Sequence, residues 1–165
     1  MKSHVSPLAV AALYLFAVVL MLSPLIDLMT TVWPLRFGEL TWRYGFLGLA
    51  AGYVHTPLLG IVLAGAVAYW QGHPTPLRLL GFVSLVAAAL LLPVMALWPL
   101  DFQQVSQLRE EELRQGVIAG GIIQEMKYMG ACAVLALFGL GAFSTAKELA
   151  ARVASRSAPG IVSRG

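Results

Sequence analysis

The sequence predicts an all-α integral membrane protein, built as a four-helix bundle. Its 165 residues are 59% hydrophobic and only 12% charged, which is too apolar for a soluble domain. It contains four apolar runs, each close to or longer than the roughly 20 helical residues that cross a ~30 Å hydrocarbon core. Disordered chains, nucleic-acid-binding proteins and disulfide-stapled secreted modules are excluded, because each needs more charge or more cysteine.

The four spans are predicted at residues 8–33, 45–70, 77–98 and 128–146. The first run resembles a signal peptide, but residues 21–23, Met-Leu-Ser, lack the pair of small side chains that a cleavage site needs, so we expect an uncleaved span. Amphipathic aromatic side chains prefer the membrane interface, and six of them mark the predicted span ends: Trp33, Trp42, Tyr69, Trp70, Trp98 and Tyr128.

An amphipathic helix is predicted at about residues 102–127, leading directly into span four. Asp101, with Gln104 three residues later, resembles a capping box at its start. This helix is interpreted either as a cover over the outer mouth of the bundle or as a docking surface for a partner protein. Residues 1–150 then form one membrane domain, and residues 151–165 form a short basic C-terminal tail.

Four spans place both termini on one side of the membrane, and the positive-inside rule predicts which side. The face with the termini carries six basic residues: Lys2, Arg78, Lys147, Arg152, Arg156 and Arg164. The opposite face carries five: Arg36, Arg43, Arg109, Arg114 and Lys127. We therefore expect cytoplasmic termini, in a bacterial inner membrane.

A short repeat marks the ends of spans one and three. Residues 33–37 read Trp-Pro-Leu-Arg-Phe and residues 98–102 read Trp-Pro-Leu-Asp-Phe, so four of five positions are identical at an offset of 65. One interpretation is two pseudo-repeated helical hairpins, in which a Trp anchors each exit and the following proline stops the helix. Arg36 and Asp101 would then meet at the outer surface. The alternative is that two independent exits share a common interfacial pattern. The outer-face residues concerned are Trp33, Arg36, Trp98 and Asp101.

Asp27 is an ionisable residue within span one, and such residues are functional candidates by default because a charge in hydrocarbon is costly. One hypothesis is a proton or cation relay in a small proton-coupled transporter. The other is a structural carboxylate that is hydrogen-bonded or ion-paired, favoured by Thr30 and Thr31 at i+3 and i+4 and by Arg43 on the same side.

His55 lies well inside span two, with Ala51 and Gly52 one turn before it. These small residues would leave a flat surface where a haem or chlorophyll-type macrocycle could stack while the imidazole ligates its metal. The alternative is a histidine bonded to a neighbouring carbonyl, because the chain has no second midspan histidine. The sequence offers no ligand spacing for another metal site and no nucleophile–base set, so we expect no enzyme.

Small residues spaced for close helix packing occur in spans two and four. They suit folding of the chain and association with other membrane proteins or a second copy equally well. The candidate packing residues are Gly48, Gly52, Gly60 and Gly130.

The order of several short motifs resembles a known family. The motifs are Leu-Ile-Asp-Leu at 25–28, Trp42, Thr-Pro-Leu-Leu-Gly at 56–60, and the 98–102 box followed by a charged helix. Together they are similar to cyanobacterial hormogonium polysaccharide proteins of the HpsJ type, over about residues 8–115. The resemblance implies a role in polysaccharide secretion and surface motility, with no catalytic residues to transfer. The leading expectation is an accessory or scaffold subunit of a larger membrane assembly. The alternatives are a cofactor-binding subunit using His55 and a transporter using Asp27.

Overall fold

The computed structural model describes residues 6–105 and 111–157, and these form five α-helices without a strand. The helices are α1 (Pro7–Val32), α2 (Leu40–Tyr53), α3 (His55–Gln71), α4 (Pro74–Val105) and α5 (Glu111–Ser157). Helices α2 and α3 are separated only by Val54 and together form the second of four segments long and apolar enough to cross a membrane. The prediction of an all-α, four-helix, multi-pass membrane protein is confirmed.

Local sequence signals explain several helix ends. The Ser6 side chain accepts a hydrogen bond from the backbone N–H of Ala9 at 3.2 Å, which caps the start of α1. Helix α3 ends at Gly72, whose φ of +67° is the left-handed conformation that favours glycine. Pro74 then begins α4, a position where its missing N–H costs no helical hydrogen bond.

Helices α4 and α5 form an antiparallel hairpin held by close backbone approach. A Cβ atom placed on Gly81 would lie 3.1 Å from the Gly139 carbonyl oxygen, and one placed on Gly139 would lie 3.0 Å from that of Gly81. Farther along, the Cys132 thiol lies 3.6 Å from the Ala88 carbonyl oxygen. Small residues therefore bring these two helices together, as is usual in membranes.

The core consists of three buried layers between α2–α3 and the α4–α5 hairpin. The layer nearest the termini contains Ala68, Leu77, Ala142 and Ala146. The middle layer contains Ile61, Ala88 and Leu135. The third contains Leu47, Ala51 and Tyr128. Helix α1 packs on the outside, mainly against α3, and contributes only partly buried side chains to these layers.

The third span ends at Pro99, but the prediction that this proline stops the helix is wrong. Helix α4 continues through Pro99 to Val105, so the backbone at Asp101 and Gln104 lies inside a helix and does not begin one. The region predicted as one helix, residues 102–127, is divided between the end of α4 and the start of α5. The apolar spacing in its second part is continuous with span four, and α5 accordingly runs unbroken from Glu111 to Ser157.

Candidate functional site

The end of the bundle remote from the termini, here called the distal end, is closed by packed aromatic rings. The Trp98 ring lies 5.9 Å from that of Tyr44 and 6.1 Å from that of Phe102, measured between centroids. Its indole lies on Gly121 of α5, where any Cβ atom would overlap the ring. The Tyr44 hydroxyl donates a 2.6 Å hydrogen bond to the Val117 carbonyl oxygen. These contacts join α2, α4 and α5.

Two aromatic residues predicted at span ends have side chains buried inside the bundle. Trp98 is 9% exposed and Tyr128 is 2% exposed. The Tyr128 hydroxyl donates a 2.6 Å hydrogen bond to the Leu47 carbonyl oxygen, which links α5 to α2. A buried hydroxyl needs such a partner, but the partner is 81 residues away. The position of Tyr128 beside Glu125 and Lys127 in the sequence indicated only proximity to a span end.

Beside this aromatic cluster, the connection between α1 and α2 forms a shallow, open cavity of about 330 Å³. The Trp42 indole N–H donates to the Val32 carbonyl oxygen at 3.1 Å, which holds the start of α2 against the end of α1. Phe37 packs edge-on against Trp42 at 5.1 Å, and the Arg43 guanidinium donates to the Phe37 carbonyl oxygen at 2.8 Å. Two side chains of α2, Trp42 and Arg43, therefore hold the end of α1 and the connection in place.

The proposed meeting of Arg36 with Asp101 stays a prediction. The Arg36 guanidinium lies 3.5 Å from the Glu39 carboxylate, a partner within its own connection. The side chain of Asp101 lies outside the described part of the structure. Both boxes are nevertheless at the distal end, as expected for parallel hairpins, because Trp98 contacts Tyr44 of α2 just beyond the connection from α1.

Asp27 lies on α1 with its side chain exposed at the surface of the chain. The hydroxyls of Thr30 and Thr31 donate to the backbone carbonyl oxygen of Asp27, at 3.0 and 2.7 Å. They do not bond its carboxylate, which corrects the structural interpretation drawn from their spacing. Among the described residues nothing pairs with this carboxylate, and the hypothesis of an ion relay stays a prediction.

His55 is the first residue of α3 and is exposed where α2 and α3 meet. The flat surface predicted beside it is divided: Ala51 is fully buried in the core layer with Tyr128, whereas Gly52 faces open space. Within the described residues, no three His, Cys, Asp or Glu side chains are grouped to hold a metal ion. A pigment or haem at His55 stays a prediction, with only Gly52 left to provide the flat surface.

The predicted packing glycines divide into two pairs. Gly60 lies against α1, where a Cβ atom would come within 2.7 Å of the Ala17 carbonyl oxygen, and Gly48 lies under the Gln124 side chain. A Cβ atom placed on Gly52 or Gly130 would meet no atom of another helix within 4 Å, so within the described part of the chain these two positions face open space. Their role in contacts between chains stays a prediction. Gly121 was not among the candidates, because only its contact with Trp98 distinguishes it from Gly120.

The start of α5 carries a local charge cluster outside the spans. Hydrogen bonds from Arg114 and Gln115 lower the pKa of the Glu111 carboxyl, and the charge of Arg114 adds to this effect. Glu111 also suits the helix N-terminus, where the dipole favours negative charge. The cluster stabilises the first turn of α5.

Comparison with known proteins finds no match among family models, curated proteins or solved structures.

Proposed function

We propose that this chain is an accessory or scaffold subunit of a larger membrane assembly. The observation that carries the proposal is the exposed Asp27 carboxylate on the span that the rest of the chain covers least. Only 11% of the most apolar stretch of α1 is buried, compared with 22 to 28% in the other three spans. Helix α1 therefore has the largest free surface, and that surface includes a charged group.

The depth of Asp27 makes this exposure costly for a solitary chain. Helix α1 has 26 residues and is ~39 Å long at ~1.5 Å per residue, about 9 Å more than the hydrocarbon core. If α1 is centred, Asp27 lies about 3 Å inside the hydrocarbon edge, because it is about 8 Å from the helix end. Ionisable side chains within spans almost always face protein or water and are paired. The cost for a carboxylate this near the hydrocarbon edge is smaller than at the bilayer centre. A neighbouring subunit with a cationic or hydrogen-bonding group supplies that pairing.

The face of α1 that carries Asp27 is also open to a partner. Ser23, Thr30 and Thr31, which lie one turn from Asp27, are exposed. A second membrane helix seated here covers these side chains and Asp27 together. The resemblance to hormogonium polysaccharide proteins supports an assembly that exports polysaccharide.

Site-directed photo-crosslinking in the native membrane tests this proposal. A photoreactive residue at Ser23, which is exposed on α1 one turn from Asp27, is expected to form an adduct with one partner protein. The same residue at Leu137, which is 72% exposed on α5, is the matched control and is expected to form none. Asp27→Asn is expected to lower the adduct yield at position 23 and the partner recovered after mild detergent extraction.

Three results would count against the proposal. A chain extracted alone, with no protein adduct from either position, would leave Asp27 to an autonomous activity. Adducts only with a second copy of this chain would replace the assembly with a homo-oligomer. If Asp27→Asn left the adduct yield unchanged, the carboxylate would not take part in the contact with the partner.

We also infer that both termini are cytoplasmic in a bacterial inner membrane, supported by the six-to-five excess of Lys and Arg on their face. Fusions to the C-terminus test the orientation. Green fluorescent protein is expected to fluoresce there, and alkaline phosphatase is expected to be inactive. The reverse pair of results would invert the topology.

A further inference from the structure

The cavity at the α1–α2 connection has the size and position of a lipid headgroup site. Its volume of about 330 Å³ is at the lower end of the ~300–1,000 Å³ range of small-molecule pockets, which suits a headgroup better than a large cofactor. It lies between the end of the first span and the start of the second, and span ends are where a membrane protein meets lipid headgroups. The residues used below are three of those that line it: Trp33, Arg36 and Glu39.

The charges in the cavity are a cation and an anion side by side. The Arg36 Nη1 and Glu39 Oε1 atoms are 3.5 Å apart, and the two side chains are 57% and 58% exposed, so both remain accessible. A guanidinium has five N–H donors, and its planar fork suits the oxygens of a phosphate. The pair with Glu39 uses only Nη1. The Glu39 carboxylate beside it can accept hydrogen bonds from an ammonium group.

The surface below the cavity suits acyl chains. Trp33 is 73% exposed at the rim, and Met29, Ile26 and Leu22 follow it down the same face of α1 at helical spacing. An exposed tryptophan is typical of the headgroup level of a membrane. A lipid with its headgroup in the cavity therefore has apolar helix surface beneath it.

We propose that this cavity binds the phosphoethanolamine group of phosphatidylethanolamine, with the phosphate on Arg36 and the ammonium on Glu39. Phosphatidylglycerol has a phosphate but no cation for Glu39. Phosphatidylcholine has a cation whose methyl groups leave no N–H to donate to the carboxylate. The adjacent opposite charges thus select the zwitterion that carries N–H donors. This site does not depend on the proposed role in an assembly.

Native mass spectrometry of the full chain, released from nanodiscs, measures the lipids that it retains. The nanodiscs contain equal amounts of phosphatidylethanolamine, phosphatidylglycerol and phosphatidylcholine. The wild-type chain is expected to retain phosphatidylethanolamine preferentially. Arg36→Gln is expected to lower that retention about tenfold, the effect of losing one charged hydrogen-bonding partner. Arg78→Gln, which changes an exposed arginine at the opposite end of the bundle, is the matched control and is expected to have no effect.

Glu39→Gln separates the two halves of the site. It is expected to abolish the preference for phosphatidylethanolamine over phosphatidylglycerol, because only the ammonium contact is lost. Soluble phosphoethanolamine, added at the concentration of the lipid, is expected not to displace it, since the soluble compound lacks acyl chains.

Several results would overturn the proposal. If the wild-type chain retained the three lipids equally, the cavity would not select phosphatidylethanolamine. This measurement needs no variant. Retention that Arg36→Gln leaves unchanged would place the bound lipid elsewhere. Displacement by soluble phosphoethanolamine at equal concentration would make the ligand a soluble phosphate ester.

Discussion

The two Trp-Pro-Leu boxes have nearly the same sequence and opposite structures. At residues 33–37 the helix has ended: α1 stops at Val32, and Trp33 has the extended backbone angles φ −76° and ψ 138°. At residues 98–102 the helix continues: α4 runs through both Trp98 and Pro99 to Val105. The Trp33 side chain is 73% exposed, whereas Trp98 is 9% exposed.

The first box follows the local preference of its proline, and the second overrides it. A proline disfavours the helical conformation of the residue before it, which agrees with the extended backbone at Trp33. At Trp98 the indole packs on Gly121, with Tyr44 and Phe102 around it. These contacts exist only while α4 remains helical at this level. Packing of a large aromatic side chain outweighs the local cost of the proline, and no comparable surface meets Trp33.

The largest expected difference in stability is between substitutions of the two tryptophans themselves. Trp98→Ala is expected to lower the free energy of unfolding by about 3 kcal/mol, as for other buried aromatic side chains. Trp33→Ala is expected to change it by less than about 0.5 kcal/mol, because exposed residues contribute little. Titration with sodium dodecyl sulfate in mixed micelles, followed by circular dichroism, measures both. Equal losses would show that burial does not distinguish the two boxes.

The surface beneath Trp98 is the second target. Gly121→Ala places a methyl group in the indole and is expected to destabilise the chain by about 2 kcal/mol. Gly116→Ala, at an open position on the same helix, is the control and is expected to be neutral or to stabilise by up to about 1 kcal/mol, through better helix propensity. The double variant Trp98→Ala with Gly121→Ala is expected to lose less than the sum of the two single losses. Strict additivity in unfolding titrations would contradict the contact.

A smaller effect is expected where Tyr44 joins α2 to α5. Tyr44→Phe removes the 2.6 Å hydrogen bond to the Val117 carbonyl oxygen and is expected to cost about 1 kcal/mol. Tyr53→Phe lies on the same helix, and in the described structure its hydroxyl has no hydrogen bond, so it serves as the control. Thermal unfolding of the two variants side by side gives the difference. A loss as large for Tyr53→Phe would assign the effect to the phenol ring environment and not to the bond.

The smallest expected effect is the pH dependence at the start of α5, beyond the second box. The pKa of Glu111 is lowered in the folded chain by Arg114 and Gln115. The stabilisation is therefore fully present above the pKa of the unfolded carboxyl and is lost as the pH falls through the lowered folded value. Because the cluster is exposed, the change is small and is screened by salt. Unfolding titrations from neutral to acidic pH are expected to show a shallower decline in Glu111→Gln than in the wild-type chain. Identical declines in stability in the wild-type chain and Glu111→Gln would show that the interaction of Glu111 with Arg114 does not stabilise the helix.

The number of spans and the helical class were predictable because the membrane imposes them. Apolar runs such as residues 8–33 must satisfy their backbone hydrogen bonds internally, so a helix is the only form open to a single run. Helix ends set by local chemistry were equally accessible in principle, as at Gly72, where a left-handed residue ends α3. These features depend on residues close together in the chain and on the surrounding membrane. They can therefore be predicted from the order of the residues.

The candidate site depended on contacts between distant residues, and there the predictions were less complete. Asp27 was recognised as a charge within a span, but the sequence could not show that its threonine neighbours bond the backbone and leave the carboxylate exposed. The sequence predicted that Ala51 and Gly52 form one flat surface beside His55. In the structure Ala51 lies in a buried layer with Tyr128 of α5, so it is not part of that surface. The Arg36–Glu39 pair in its cavity was also missed, although both charges are visible within one short connection.

The sequence by itself determined that this is a helical protein with four membrane-crossing segments, and it placed both Trp-Pro-Leu boxes near the ends of spans. Only the tertiary structure decided that one box ends a helix while the other continues it. The physical reason is the range of the interactions. Hydropathy and backbone hydrogen bonding act within a segment, whereas the burial of Trp98 depends on Gly121, a residue of the next helix that becomes its neighbour only when the hairpin closes.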